Sequence, residues 1–97
     1  MKTPEQIIDY IADQYEVKAS DLIGDSPERI HTEPRQVAMY LIYRYCNING
    51  AKLGKIFSKG QSNIVFANNK IVQNIRVNRR FNAFIKETVN ELGLCVE

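Results

Sequence analysis

Apolar residues recur in this chain every three to four positions, and no run alternates apolar and polar residues over a strand's length with turn signals at both ends. That period is the signature of helices that bury one face, and it directs the chain to an all-α fold. Five stripes carry it: Ile7, Ile8, Ile11, Ala12 and Tyr15; Val37, Ala38, Leu41, Ile42 and Tyr45; Leu53, Ile56 and Phe57; Ile64, Val65, Ile71, Val72 and Ile75; and Phe81, Phe84, Ile85, Val89 and Leu92.

Punctuation between the stripes sets the expected ends. Thr3-Pro4-Glu5-Gln6 reads as a hydroxyl cap, a proline at the first helical position and an acid in the first turn, so a helix is expected over about 4–15. A short helical turn within 17–23 closes at Gly24, and Asp25-Ser26-Pro27 marks a loop. The second long helix spans about 34–46 and ends at the turn-forming run Asn47-Ile48-Asn49-Gly50. A short helix follows over about 51–57. Ser58-Lys59-Gly60-Gln61 has capping-box spacing, which predicts a new helix over about 59–76 with Ser58 as its cap. The last helix is expected over about 78–93, with Gly93 at its end. The count is five to six helices.

At 97 residues, 44% hydrophobic and 25% charged, the chain is expected to form one domain over 1–97 around one core, which leaves little room for a deep catalytic cleft. Cys46 and Cys95 share no metal-ligand spacing and are expected to be reduced thiols, Cys46 buried in a helix. Neither a signal sequence nor a membrane span is visible, so a cytoplasmic location is expected.

The net charge of +2 conceals a strong asymmetry. The first 33 residues hold eight acidic residues against three basic ones. From Pro34 to Lys86 there is no Asp or Glu, while Arg35, Arg44, Lys52, Lys55, Lys59, Lys70, Arg76, Arg79, Arg80 and Lys86 supply ten positive charges. Such a block suits a polyanion, either nucleic acid or an acidic protein.

Within the block, a short helix, a turn of three or four residues and a longer helix between about Leu53 and Ile75 have the layout of a helix-turn-helix. In that motif the start of the second helix faces base edges in the major groove. Gln61, Ser62 and Asn63 are the expected base contacts, because amides pair with adenine and hydroxyls adapt to several bases. Phe66 falls on the same outward side and is suited to a thymine methyl or a protein contact. Arg35, Arg44, Lys52, Lys55, Lys59 and Lys70 are the expected contacts to the DNA backbone.

Several segments resemble the C-terminal, DNA-binding domain of the bacterial replication initiator DnaA. Residues 3–24, with Val17, Asp21, Leu22, Ile23 and Gly24, look like its opening helix and turn. Pro34-Arg35-Gln36-Val37-Ala38-Met39-Tyr40-Leu41 is similar to the Pro-Arg-Gln-x-Ala-Met-x-Leu run of its long helix. Leu53-Gly54-Lys55-Ile56-Phe57 matches its hydrophobic-Gly-x-hydrophobic-Phe helix. Lys59-Gly60-Gln61-Ser62-Asn63-Ile64-Val65-Phe66-Ala67 lies on its Arg-Asp-His-Thr-Thr-Val-hydrophobic-x-Ala signature.

The resemblance covers about residues 3–93 and implies a free-standing helix-turn-helix domain with a DnaA C-terminal, Trp-repressor-like fold. It further implies binding of double-stranded DNA, linked to replication initiation or its regulation. Arg35 then matches an arginine that engages DNA, Lys59 a basic residue, Ser62 and Asn63 the base-contacting threonine pair, and Gln61 a histidine beside them. Gly60 stands where the family has aspartate, the turn is one residue shorter, and the family's basic minor-groove segment is here the acidic run 25–33.

Those departures, with Phe66, motivate the alternative of a protein-interaction module that keeps the fold, has lost specific DNA binding and partners a replication protein. No catalytic residue, metal, cofactor, membrane partner or small-molecule substrate is expected. His31 has no catalytic companion and is expected on a surface loop. Tyr40, Tyr43 and Tyr45 are expected in the core, and the Asp9, Asp13 and Glu16 row on a solvated face. Arg76, Arg79 and Arg80 suit either phosphate or the end of a helix.

Overall fold

A computed structural model of the chain describes residues 2–24 and 29–94. Among them are six α-helices, one 3-10 turn and no strand: α1 (Pro4–Gln14), α2 (Ala19–Ile23), the 3-10 turn (Arg29–His31), α3 (Thr32–Tyr45), α4 (Gly50–Ile56), α5 (Gln61–Val77) and α6 (Arg79–Leu92). The loop expected at Asp25-Ser26-Pro27 and Cys95 lie outside the described residues.

Local chemistry explains most helix ends. Thr3 and Gln6 form a reciprocal capping box: Gln6 N–H donates to Thr3 Oγ1 at 3.2 Å and Thr3 N–H to Gln6 Oε1 at 2.9 Å. The side chains of Asn49 and Asn78 cap α4 and α6 by accepting from the amides of Lys52 and Phe81. Gly93 ends α6 in the left-handed region at φ 66, which a residue without Cβ adopts freely. Gly24 closes α2 from an extended conformation instead, with its N–H donating to the Ser20 carbonyl.

The long helix α3 is the axis of the fold and packs on α1, α2, α4 and α5. Val37, Ala38, Leu41 and Ile42 are fully buried on it, as are Ile7 and Ile11 of α1, Leu22 of α2, Leu53 of α4, Phe57 after it and Ile64 of α5. These side chains share one core that Phe81, Ile85 and Leu92 extend from α6. Burying that apolar surface is the main force holding the helices together. Tyr15 adds a polar tie, its hydroxyl donating to Glu33 Oε2 at 2.6 Å, and its ring meets Phe84 edge to face with centroids 5.8 Å apart.

Several expectations change in three dimensions. Val65 is 42% exposed, and Ala67 takes its place in the buried stripe, because Ile64, Ala67 and Ile71 are the residues whose three- and four-residue spacing keeps one face inward. His31 is buried, not on a surface loop: the 3-10 turn folds it against α2, where its Nε2 lies 3.5 Å from Asp21 Oδ2. Tyr40 is a core residue, whereas Tyr43 is exposed and Tyr45 half-buried. Cys46 follows the last residue of α3 and is half-buried, with its thiol directed at the Lys2 carbonyl. Burial pushes that thiol's pKa up, and the charge of Glu5 adds to the rise.

Candidate nucleic-acid interface

α4, a four-residue turn and α5 form the helix-turn-helix. The turn runs through Phe57, Ser58, Lys59 and Gly60, with Ser58 in the left-handed region at φ 57 and the Lys59 N–H donating to the Gly54 carbonyl at 2.8 Å. Ser58 therefore does not cap α5. A capping residue needs extended backbone so that its side chain can reach the helix's first amides. Gly60, at φ −77 and ψ 164, occupies that position and brings no side chain to it, so α5 begins at Gln61 instead of near 59.

The expected base-contacting residues come together at the start of α5. Gln61, Ser62 and Asn63, in its first turn, are all exposed, and Phe66, a turn further on, is 59% exposed. Lys52 and Lys55 are exposed on α4, Lys59 is half-buried in the turn, and Lys70 is exposed two and a half turns into α5. Lys59, Asn63 and Phe66 share a concavity with Thr32, Arg35 and Gln36 of α3, so the N-terminal half of α3 forms one wall of the interface. Lys70 opens on a neighbouring groove with Arg29 and Thr32.

Two expected backbone contacts are placed differently. Arg35 is buried, and its guanidinium donates from Nε to the Leu22 carbonyl at 2.9 Å and from Nη2 to the Asp21 carbonyl at 2.8 Å. Two of its donors thus bind α2 to α3, while the residue also lines the concavity beside Lys59. Arg44 projects from the far end of α3 into a separate hollow with Lys86, Asn82 and Ile75, away from the start of α5. Arg76 lies in the last turn of α5, where the helix dipole favours a cation; Arg79 and Arg80 open α6, where it does not.

Gly50 and Gly54 shape the helix-turn-helix without bringing a side chain to it; Gly54 is the glycine of the hydrophobic-Gly-x-hydrophobic-Phe helix, and Gly50 is the first residue of α4 and not the end of the preceding turn. Both are buried on α4 beneath the turn and the start of α5. A Cβ on Gly54 would lie 2.6 Å from the Lys59 carbonyl oxygen, so the turn can cross α4 only where that side chain is absent. The available signal was their four-residue spacing, which puts both on one face of a helix.

This geometry has counterparts in sequence. Residues 4–71 match the family model described as the bacterial DnaA protein helix-turn-helix. The chain belongs to this family. Chromosomal replication initiator proteins DnaA are similar to it over most of its length: that of Tropheryma whipplei is 36% identical over 77 residues, covering 79% of this chain and 16% of the relative. DnaA 1 of Chlamydia pneumoniae is 33% identical over 76 residues, 78% of this chain and 16% of the relative. DnaA of a Synechococcus strain is 26% identical over 91 residues, 93% of this chain and 20% of the relative. The matched segment of this DnaA-family chain spans about a sixth to a fifth of the length of these relatives. Its match takes in α1 through most of α5 and therefore the whole helix-turn-helix up to Ile71. Among the described residues no helix is long and apolar enough to cross a membrane, and no cluster of three or more His, Cys, Asp or Glu is placed to hold a metal ion.

Proposed function

We infer that the chain is a non-enzymatic binder of double-stranded DNA that lays the N-terminal half of α5 in the major groove, and that it serves replication initiation or its control in the bacterial cytoplasm. One observation carries this reading. The first turn of the recognition helix of a DnaA-family helix-turn-helix exposes Gln61, Ser62 and Asn63 within a stretch, Pro34 to Lys86, that holds no carboxylate. Gln61 and Asn63 offer amides for adenine, Ser62 a hydroxyl that donates or accepts, and Phe66 an apolar face for a thymine methyl. Lys52, Lys55, Lys59 and Lys70 supply charge for phosphates around them. Arg35 contributes chiefly by bracing the wall of the interface, and Arg44 lies outside it.

Fluorescence anisotropy tests the reading, using a labelled random-sequence duplex pool and a duplex carrying the DnaA recognition box, each at low and at physiological salt. Four lysines meeting phosphate give a log-log salt slope of about −3 to −4. Tighter binding to the box supports inherited base readout, and equal, salt-sensitive binding supports a DNA binder of other or no specificity. Absence of binding at low salt overturns the reading in favour of a protein-interaction module.

A further inference from the structure

Gly50 and Gly54 lie on one face of α4, yet they meet different parts of the chain above them. Gly54 meets backbone: besides the Lys59 carbonyl, a Cβ there would lie 3.4 Å from the Gly60 carbonyl carbon and 3.5 Å from the Gln61 amide nitrogen. At Gly50 the three nearest atoms all belong to one side chain. A Cβ built there would stand 3.0 Å from Cγ, 3.4 Å from Nε2 and 3.6 Å from Cδ of Gln61.

Conformational need does not explain this glycine. Gly50 is the first residue of an Asn49-capped helix and is absent from the chain's positive-φ residues. What its missing side chain provides is room. The aliphatic stem of Gln61 lies over the backbone at the start of α4, with its amide nitrogen 3.4 Å from the Cβ position that Gly50 leaves empty. A side chain at position 50 makes Gln61 give by a few tenths of an ångström, and because the tight contact is with a flexible side chain, the adjustment costs the fold little.

We propose that Gly50 is a positioning residue for recognition: by leaving its Cβ position empty it seats Gln61 and aims the Gln61 amide, so that sequence preference depends on a residue that itself touches no base. This rests on the reading of Gln61 as a base contact. A bidentate amide-to-adenine pair requires both amide atoms in the plane of the base edge, so a small tilt of the side chain is enough to lose it. Phosphate contacts from lysines have no such angular demand.

The test uses the full chain as wild type, Gly50→Ala, Gln61→Ala and the double variant. A duplex selected from a random pool by the wild-type protein and its single-base-pair variants are the probes. Gly50→Ala is expected to fold, to lose about fivefold or more in discrimination at the base pair that Gln61→Ala identifies, and to keep the salt slope and the affinity for unselected DNA. The double variant is expected to lose no more than Gln61→Ala alone. Full discrimination by Gly50→Ala, where Gln61→Ala has lost it, overturns the positioning role and leaves the DNA-binding reading intact. Unchanged discrimination by Gln61→Ala at every base pair overturns both the base contact and the role built on it. A nuclear Overhauser contact between Gly50 Hα and Gln61 Hγ is expected in the wild-type protein and needs no variant to fold; its absence also overturns the proposal.

Discussion

Arg35 donates through Nε to the carbonyl oxygen of Leu22 at 2.9 Å, from a side chain that is 8% exposed. With its second bond, to the Asp21 carbonyl, it ties two carbonyls of α2 to α3. Arg35→Lys is therefore expected to destabilise the domain by about 2–3 kcal/mol, because an ammonium cannot reproduce the fork of two donors. Urea unfolding measures it. A phosphate contact with no structural part predicts unchanged stability for the lysine variant.

The Tyr15–Glu33 bond links stability to alkaline pH. Burial, then the hydrogen bond to Glu33 and then its charge, push the Tyr15 pKa far above the ordinary 10.0, and burial raises Tyr10 and Tyr40 too. The folded state thus favours the protonated phenols. Their contribution is fully present below about pH 10 and is lost as pH rises beyond it, because only the unfolded chain releases those protons readily. Tyr15→Phe should cost about 1 kcal/mol at neutral pH and make the alkaline loss of stability shallower. Thermal melts between about pH 7 and 11 follow both effects, and an unaltered alkaline slope counts against the linkage.

Gly54→Ala places a methyl group 2.6 Å from the Lys59 carbonyl oxygen, a backbone atom that cannot rotate aside. The gain in helix propensity, up to about 1 kcal/mol, is smaller than the strain of about 1–3 kcal/mol expected from moving the turn. The melting temperature should fall and the amide spectrum should shift around 57–62. A variant as stable as wild type, with an unmoved spectrum, contradicts the role given to this glycine.

Gly60→Ser runs the other way. The backbone at position 60 already has the extended geometry of a cap, and a Cβ there would find no neighbour closer than 3.8 Å. A serine hydroxyl accepting an early α5 amide should stabilise the domain by a few tenths of a kcal/mol, or roughly 1–3 °C in Tm. A lower Tm shows that the hydroxyl does not reach those amides.

Charge and readout should separate in DNA titrations. Lys55→Ala is expected to lower affinity similarly on all duplexes and to reduce the salt slope by about 0.9, the share of one phosphate contact. Asn63→Ala should leave the slope alone and weaken discrimination at one base pair by about fivefold or more. If both variants changed only the slope, Asn63 would have no part in base readout.

The residues themselves determined the helical class, the helix-turn-helix and the basic block, because periodicity, local caps and charge are properties of neighbouring residues. Thr3-Pro4-Glu5-Gln6 and Ser58-Lys59-Gly60-Gln61 share capping-box spacing, yet only the first forms one. What separates them is the end of the preceding helix: Ser58 is the left-handed residue that closes α4, at φ 57 with the Lys59 N–H on the Gly54 carbonyl, where its side chain cannot cap α5. Burial of Arg35 and His31 and the distance of Arg44 from the start of the recognition helix were decided by tertiary packing. A charged side chain next to an apolar stripe can face water or span two helices, and the choice depends on which carbonyls the neighbouring element leaves within reach. Only the packing of α2 and α5 against α3 supplied those partners.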